Sequence, residues 1–280
     1  MRQLKKISIN FEGFNLSSKF YERSESDSVL FVLHGFSGSF NDFLFLCNRD
    51  LPINIVFIDM IGHGESDSPN LLSFYKQEQI VIQLDKFIDY FNFKSKYLFG
   101  YSMGGRAALS YSVNFQNKIN GLILESSTPG ILSKKEAIKR IFEDKELAEF
   151  ILSNSIDKFV ERWLSLPLFD SLKSLPHEKL SSHKSLKYLN NKIGLSNCLL
   201  GFGTGAMKNL WKEIETLNLP VLLFVGEYDD KFKKINIEAN KLMPNSKLKV
   251  ISNAKHIPHL ENENEFIIEI KEFLTNLGAI

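Results

Sequence analysis

GYSMGG, at residues 100–105, decides how the rest of the chain is read. It follows the apolar run KYLFGY (96–101) and opens a helical pattern, the strand–turn–helix setting that a G-x-S-x-G nucleophile turn requires. In such a turn Ser102 takes a strained backbone position, and Gly100 and Gly104 remove side chains that would strike the neighbouring strand and helix. The serine hydroxyl is then presented above the sheet. A glycine-rich turn with an incidental serine also matches the bare pattern, and only the flanking strand and helix argue against it.

Outward from the turn, short β-rich apolar bursts recur at SVLFVL (28–33), INIVFIDM (53–60) and INGLILES (119–126), and again at LPVLLFVGEYDD (219–230) and LKVISNA (248–254). Nearly uninterrupted runs of this kind predict parallel strands covered on both faces. Helical patterns lie between them, clearest at 74–91, where Ile80, Leu84, Ile88 and Phe91 recur at helical spacing. Strands alternating with helices predict an α/β fold with a mostly parallel central sheet and right-handed crossovers. The first 22 residues alternate around Glu12 and Gly13, which predicts an antiparallel hairpin. From 131 to 214 the strand signal disappears, and Pro167, Pro176, Gly194, Gly201 and Gly203 predict several short helices. The expected organisation is therefore a core of residues 1–130 and 215–280 with a helical cap inserted at 131–214.

A serine hydroxyl needs a neighbour to remove its proton, and that neighbour needs a third group to orient it. Asp229 follows one predicted strand in VGEYDDKF, and His256 follows the last one in SNAKHIPHLEN. Strand ends on the carboxyl edge of a parallel sheet form the crevice where ligands bind. Spacing leaves Asp230 beside Asp229, His259 beside His256, and Glu125 as a further acid on another strand. LHGFSGS (33–39) follows a strand where an oxyanion hole takes one donor, so the Phe36 and Met103 backbone N–H groups are the expected pair. His34 and His63 are expected to be structural, bonding nearby loops.

The 280 residues carry 34 Lys+Arg against 33 Asp+Glu, which gives no global attraction for nucleic acid. Charge is uneven, however: residues 131–214 hold 14 Lys+Arg and 10 Asp+Glu, so the cap is mildly basic. The longest apolar runs, such as VLLFV (221–225), are too short to span a bilayer, and the N-terminus lacks the pattern of a signal peptide. Cys47 and Cys198 stand outside any CxxC or Cys/His cluster, so no zinc site or disulfide framework is implied and a cytoplasmic location fits. No metal or organic cofactor and no membrane partner is expected.

HGF, GHGES, GYSMGGR, GEYDDKF and HIPH together resemble the α/β-hydrolase superfamily across nearly the whole chain. A narrower set is Arg106, ESSTPG (125–130), the Arg140 to Asp144 segment, Trp163 ahead of PLF, and GTGAMKNLW (203–211). This set resembles the 2-succinyl-6-hydroxy-2,4-cyclohexadiene-1-carboxylate synthases, lyases of menaquinone and phylloquinone biosynthesis. The resemblance implies Asp229 and His256 as the catalytic acid and histidine, with Asp230 and His259 as neighbours. It also implies a substrate with three carboxylates, met by Arg106, Arg140 and Lys187, and Trp163 beside its ring. Two departures stand out: Lys255 replaces the family's glycine before the histidine, and Lys187 occupies the position of a cap arginine, offering a point charge without the bidentate fork. The same three residues could equally serve a carboxylesterase or thioesterase, with Ser102 attacking a carbonyl. A catalytically silent receptor or interaction module is the remaining alternative, and the filled triad argues against it.

Overall fold

The computed structural model describes residues 4–23 and 25–280. Among the described residues eight strands form one sheet in the order β1-β2-β4-β3-β5-β6-β7-β8. The hairpin β1 (Leu4–Phe11) and β2 (Phe14–Tyr21) turns through Glu12 and Gly13, both at positive φ (48° and 93°) as a two-residue primed turn demands. Met1–Gln3 of the expected hairpin lie outside the described residues. Strand β2 joins antiparallel to β4 (Asn54–Ile58); β3 (Ser28–Leu33), β4, β5 (Ser95–Tyr101), β6 (Gly121–Glu125), β7 (Val221–Gly226) and β8 (Ser246–Ile251) are parallel.

Both faces of the sheet are apolar because alternate residues of each central strand enter different cores. On one face Phe31, Val56, Leu98 and Leu122 meet Ile80, Leu84 and Phe87 of α1 (Gln77–Tyr90) and Ala107, Ala108 and Tyr111 of α2 (Met103–Phe115). On the other, Leu30, Ile55, Phe99, Ile123 and Leu222 meet Phe43 and the final helix residues Phe266, Ile270 and Leu274.

Between β6 and β7 the described residues hold no strand. They fold as α3 (Lys134–Ser153), α4 (Ile156–Leu164), a 3-10 segment (Pro167–Ser174), α5 (His177–Lys187) and α6 (Lys192–Phe202). Two expectations need correction. Helix α3 runs for 20 residues rather than being short; Ser133 caps its start, and Lys139–Glu143, Arg140–Asp144 and Lys145–Glu149 pair along its surface at i,i+4. Gly194 and Gly201 do not break the chain but lie inside α6. A Cβ on Gly194 would sit 2.2 Å from the Gly62 carbonyl oxygen, and one on Gly201 would sit 2.8 Å from Tyr75. These glycines let α6 seat directly on the core loops. Two helices follow the return to the sheet, α7 (Asp230–Leu242) after β7 and the short α8 (Pro258–Glu261) after β8, before the final helix α9 (Glu263–Asn276).

Candidate active site

The turn between β5 and α2 places Ser102 at φ 50° and ψ −105°, a sparsely populated conformation for a residue with a side chain. Close packing holds it there. A Cβ on Gly100 would come within 2.3 Å of the Gly104 carbonyl, and one on Gly104 within 2.5 Å of the Leu33 and His34 carbonyls. The Ser102 N–H donates to the Glu125 carbonyl at 2.8 Å, tying the turn to the end of β6.

Three distant side chains meet at this edge. Ser102 Oγ lies 3.2 Å from His256 Nε2, and His256 Nδ1 lies 2.7 Å from Asp229 Oδ2. A proton on Nδ1, donated to the carboxylate, leaves Nε2 free to accept from the serine. Asp229 also caps α7, its Oδ1 accepting the Phe232 N–H at 3.2 Å, which fixes the carboxylate's direction. The neighbours left open by spacing go elsewhere. Asp230 is exposed and pairs with Lys233, while His259 Nδ1 bonds the Glu125 carboxylate at 2.8 Å. Glu125 therefore serves His259, not His256.

Ser102, Asp229 and His256 line a cleft of about 520 Å³ over the carboxyl ends of the strands. Phe36 and Met103 line it too, and among the described residues neither backbone N–H donates to another group of the chain. The loop carrying Phe36 is braced by His34, whose Nδ1 donates to the Gly35 carbonyl at 2.8 Å while Nε2 accepts the Met60 N–H at 3.0 Å. Burial pulls His34 down to about 4 and His63, which also lies beside His34, down to about 3, so both rings are neutral at pH 7.

At one end of the cleft stand Arg106 and Arg140. Arg106 is buried, donates to the Phe202 carbonyl at 2.5 Å and lies over the Phe202 ring. Burial, then the charge of Arg140, brings it down to about 10, so it stays cationic at neutral pH. Arg140 is half-buried, and its Nε donates to Asp144 at 2.8 Å. Burial raises Asp144 above the usual carboxylate range, and the two arginines oppose that shift. Lys187 is buried at another part of the wall, where burial lowers its pKa and Asp42 raises it. Trp163 also lines the cleft, with Phe36 edge-on at 5.1 Å and Phe169 at 5.4 Å.

Sequence reasoning missed Asp42 and His183 in this wall; His183 is buried and the Asp42 side chain is 8% exposed. His183 Nδ1 lies 3.6 Å from Asp42 Oδ1. Burial alone would raise Asp42, but Lys187 and His183 hold it well below the usual carboxylate range. A signal for Asp42 existed, since Ser39 and Asp42 form a capping box at the start of the segment Phe40–Asn48; His183 had none. Lys255, the departure beside His256, donates its ammonium to the Pro167 carbonyl and so joins the histidine loop to the inserted helices.

A family model described as alpha/beta hydrolase fold matches residues 28–263. The chain is 37% identical over 256 residues to a putative 2-succinyl-6-hydroxy-2,4-cyclohexadiene-1-carboxylate synthase of Bacillus subtilis, covering 91% of this chain and 93% of the relative. A synthase of the same name from Serratia proteamaculans is 25% identical, with 94% and 100% covered. Among solved structures, MenH from S. aureus superimposes with a TM-score of 0.88 at 35% identity, over 93% of this chain and 98% of that one.

Proposed function

The chain belongs to the 2-succinyl-6-hydroxy-2,4-cyclohexadiene-1-carboxylate synthase family of the α/β-hydrolase fold, and from that premise we propose that it eliminates pyruvate from 2-succinyl-5-enolpyruvyl-6-hydroxy-3-cyclohexene-1-carboxylate in naphthoquinone biosynthesis. The core is residues 1–130 and 215–280, and residues 131–214 act as the cap over the cleft. The observation that carries this reading is that Ser102, bonded to His256, shares one cleft with Arg106, Arg140 and Lys187. A hydrolase of neutral esters has no need of three cations in its substrate cleft. A tricarboxylate does, because charge-assisted pairs strengthen as water is excluded.

His256, held by Asp229, draws the proton from Ser102, and the serine oxygen removes the C2 proton beside the succinyl ketone. Charge moves to the ketone oxygen, which the Phe36 and Met103 amides stabilise; a donor of this kind contributes ~3 kcal/mol. Electrons return from that oxygen to form the C2–C3 double bond, the C3–C4 bond shifts to C4–C5, and the C5–oxygen bond breaks. Enolpyruvate departs, is protonated and becomes pyruvate. Ser102 thus acts as a base, and Trp163 packs beside the ring. The charge that develops on the substrate ketone is anionic, and the positive charge gained by His256 is balanced by Asp229.

Among the described residues no helix is long and apolar enough to cross a membrane. Cys47 and Cys198 are both free thiols, which suits the cytoplasm proposed here. The test is pyruvate release from the purified substrate, followed by a coupled assay. Wild type is expected to release it and Ser102→Ala to lose nearly all of that activity; no difference between the two rejects the reading. Fast hydrolysis of p-nitrophenyl esters without pyruvate release would favour an esterase.

A further inference from the structure

A second carboxylate–histidine pair lies against the first. Glu125, the last residue of β6, is fully buried, and His259 is buried with its ring at the border of the cleft. The Glu125 carboxylate accepts both the His259 backbone N–H at 2.8 Å and its ring Nδ1–H at 2.8–2.9 Å. The backbone carbonyl of Glu125 accepts the Ser102 N–H at 2.8 Å. One residue therefore grips the serine turn through its main chain and, through its side chain, the loop that carries His256 three positions before His259. We infer that Glu125 and His259 are a positioning pair that sets the separation of the Ser102 hydroxyl and the His256 imidazole. The inference deepens the proposed roles of Ser102 and His256 and rests on them.

The surroundings make the clamp rigid. Phe43 lies 4.4 Å from the His259 ring, and Tyr101 meets it edge-on at 4.9 Å. The Glu125 carboxylate is sealed from water, so it keeps the His259 donors or is left unsatisfied, while the His259 ring itself also borders the cleft. The distance it governs is critical. Ser102 Oγ to His256 Nε2 is 3.2 Å, the long edge of hydrogen-bond reach, where a few tenths of an ångström decide whether proton transfer is efficient. A pair that only stabilised the fold would have no reason to bond both halves of the reacting contact.

The experiment compares Glu125→Gln, His259→Phe and His259→Asn with wild type in pyruvate release and in the rate at which a phosphonofluoridate labels Ser102. Asparagine keeps a donor close to the Nδ1 position, whereas phenylalanine keeps only the ring. Glu125→Gln and His259→Phe are expected to lower kcat and the labelling rate in parallel, by about 10- to 100-fold, with KM unchanged. His259→Asn recovers most of the loss. Wild-type kcat and labelling in the folded variants, or a raised KM at constant kcat, overturns the inference. Should either of the first two variants fail to fold, His259→Gln against His259→Asn decides, since glutamine displaces the donor by one methylene and must be the slower; equal rates overturn it. If wild type releases no more pyruvate than Ser102→Ala, the lyase reading has failed, and the labelling rates alone still judge the pair.

Discussion

At the level of single residues, Ser102 is held in a conformation that glycine adopts without cost, so its strain can be measured. Its φ of 50° and ψ of −105° cost an L residue about 1–3 kcal/mol. Glycine adds unfolded-chain entropy worth about 0.4–1 kcal/mol, which offsets part of the gain. Ser102→Gly is therefore expected to be more stable than Ser102→Ala by roughly 1 kcal/mol in urea unfolding, with both expected to be inactive. Equal midpoints would mean that the turn is unstrained. Lys187 offers a second separation of effects. Its charge helps to keep the Asp42 carboxylate ionised, so Lys187→Met strands that carboxylate as well as removing a cation from the cleft proposed to bind substrate. Adding Asp42→Asn is expected to restore the urea midpoint but not the KM for substrate. Recovery of KM as well would remove Lys187 from substrate binding. This coupling was invisible in the sequence, where the partners lie 145 positions apart and the capping box that holds Asp42 says nothing of Lys187. Ser102 was legible because its turn follows an apolar strand and opens a helix; strand ends brought Asp229 and His256 to the same edge only together with Asp230 and His259, and the family resemblance chose between them.

Secondary-structure elements were legible where burial dictates composition and illegible where packing dictates it. Strand β3 announces itself because all six of its residues are buried. Helix α6 does not, because a glycine that ends a helix and a glycine that lets a helix touch another backbone look the same in sequence. Gly194→Ala distinguishes the two. Helix propensity favours alanine by about 1 kcal/mol, whereas its methyl would have to fit 2.2 Å from the Gly62 oxygen. Overpacking of this kind costs about 1–3 kcal/mol, and the obstacle is backbone, which cannot rotate away. The variant is expected to have a lower urea midpoint than wild type; a higher one would mean that α6 shifts freely over the core. On α3, Arg140 projects into the cleft with Asp144 one turn further on, so one exposed helix carries both the cation and the carboxylate that aims it. Arg140→Ala is expected to lower kcat/KM about 10-fold or more through lost charge-assisted bonds, and Asp144→Asn to do so by less. An Asp144→Asn loss exceeding that of Arg140→Ala would assign the main role to the carboxylate.

For the molecule as a whole, buried titratable groups set how stability depends on pH, and their signs oppose one another. Burial first of all lowers His34 to about 4, His63 to about 3 and His183 to about 4, against an ordinary 6.5. The unfolded chain takes up these protons before the native one does, so their contribution is complete above pH 6.5 and is lost as pH falls toward 4. Asp59 runs the other way. Burial raises it from 3.8 to about 7, so the native state binds a proton that the unfolded chain lacks between those values, and this term adds stability as pH falls from 7. Asp144, also raised by burial, acts in the same direction as Asp59; the three histidines outweigh the two aspartates in the overlapping window, and His34 and His63, with ring centroids 5.1 Å apart, repel if both are charged. The urea midpoint is therefore expected to fall steadily from pH 6.5 to pH 4.5. Asp59→Asn removes one opposing contribution and is expected to steepen that fall, while His183→Gln makes it shallower. A midpoint that stays level or rises as the solution is acidified would mean that these rings already reach water, and that the wall between cap and core is looser than its burial implies.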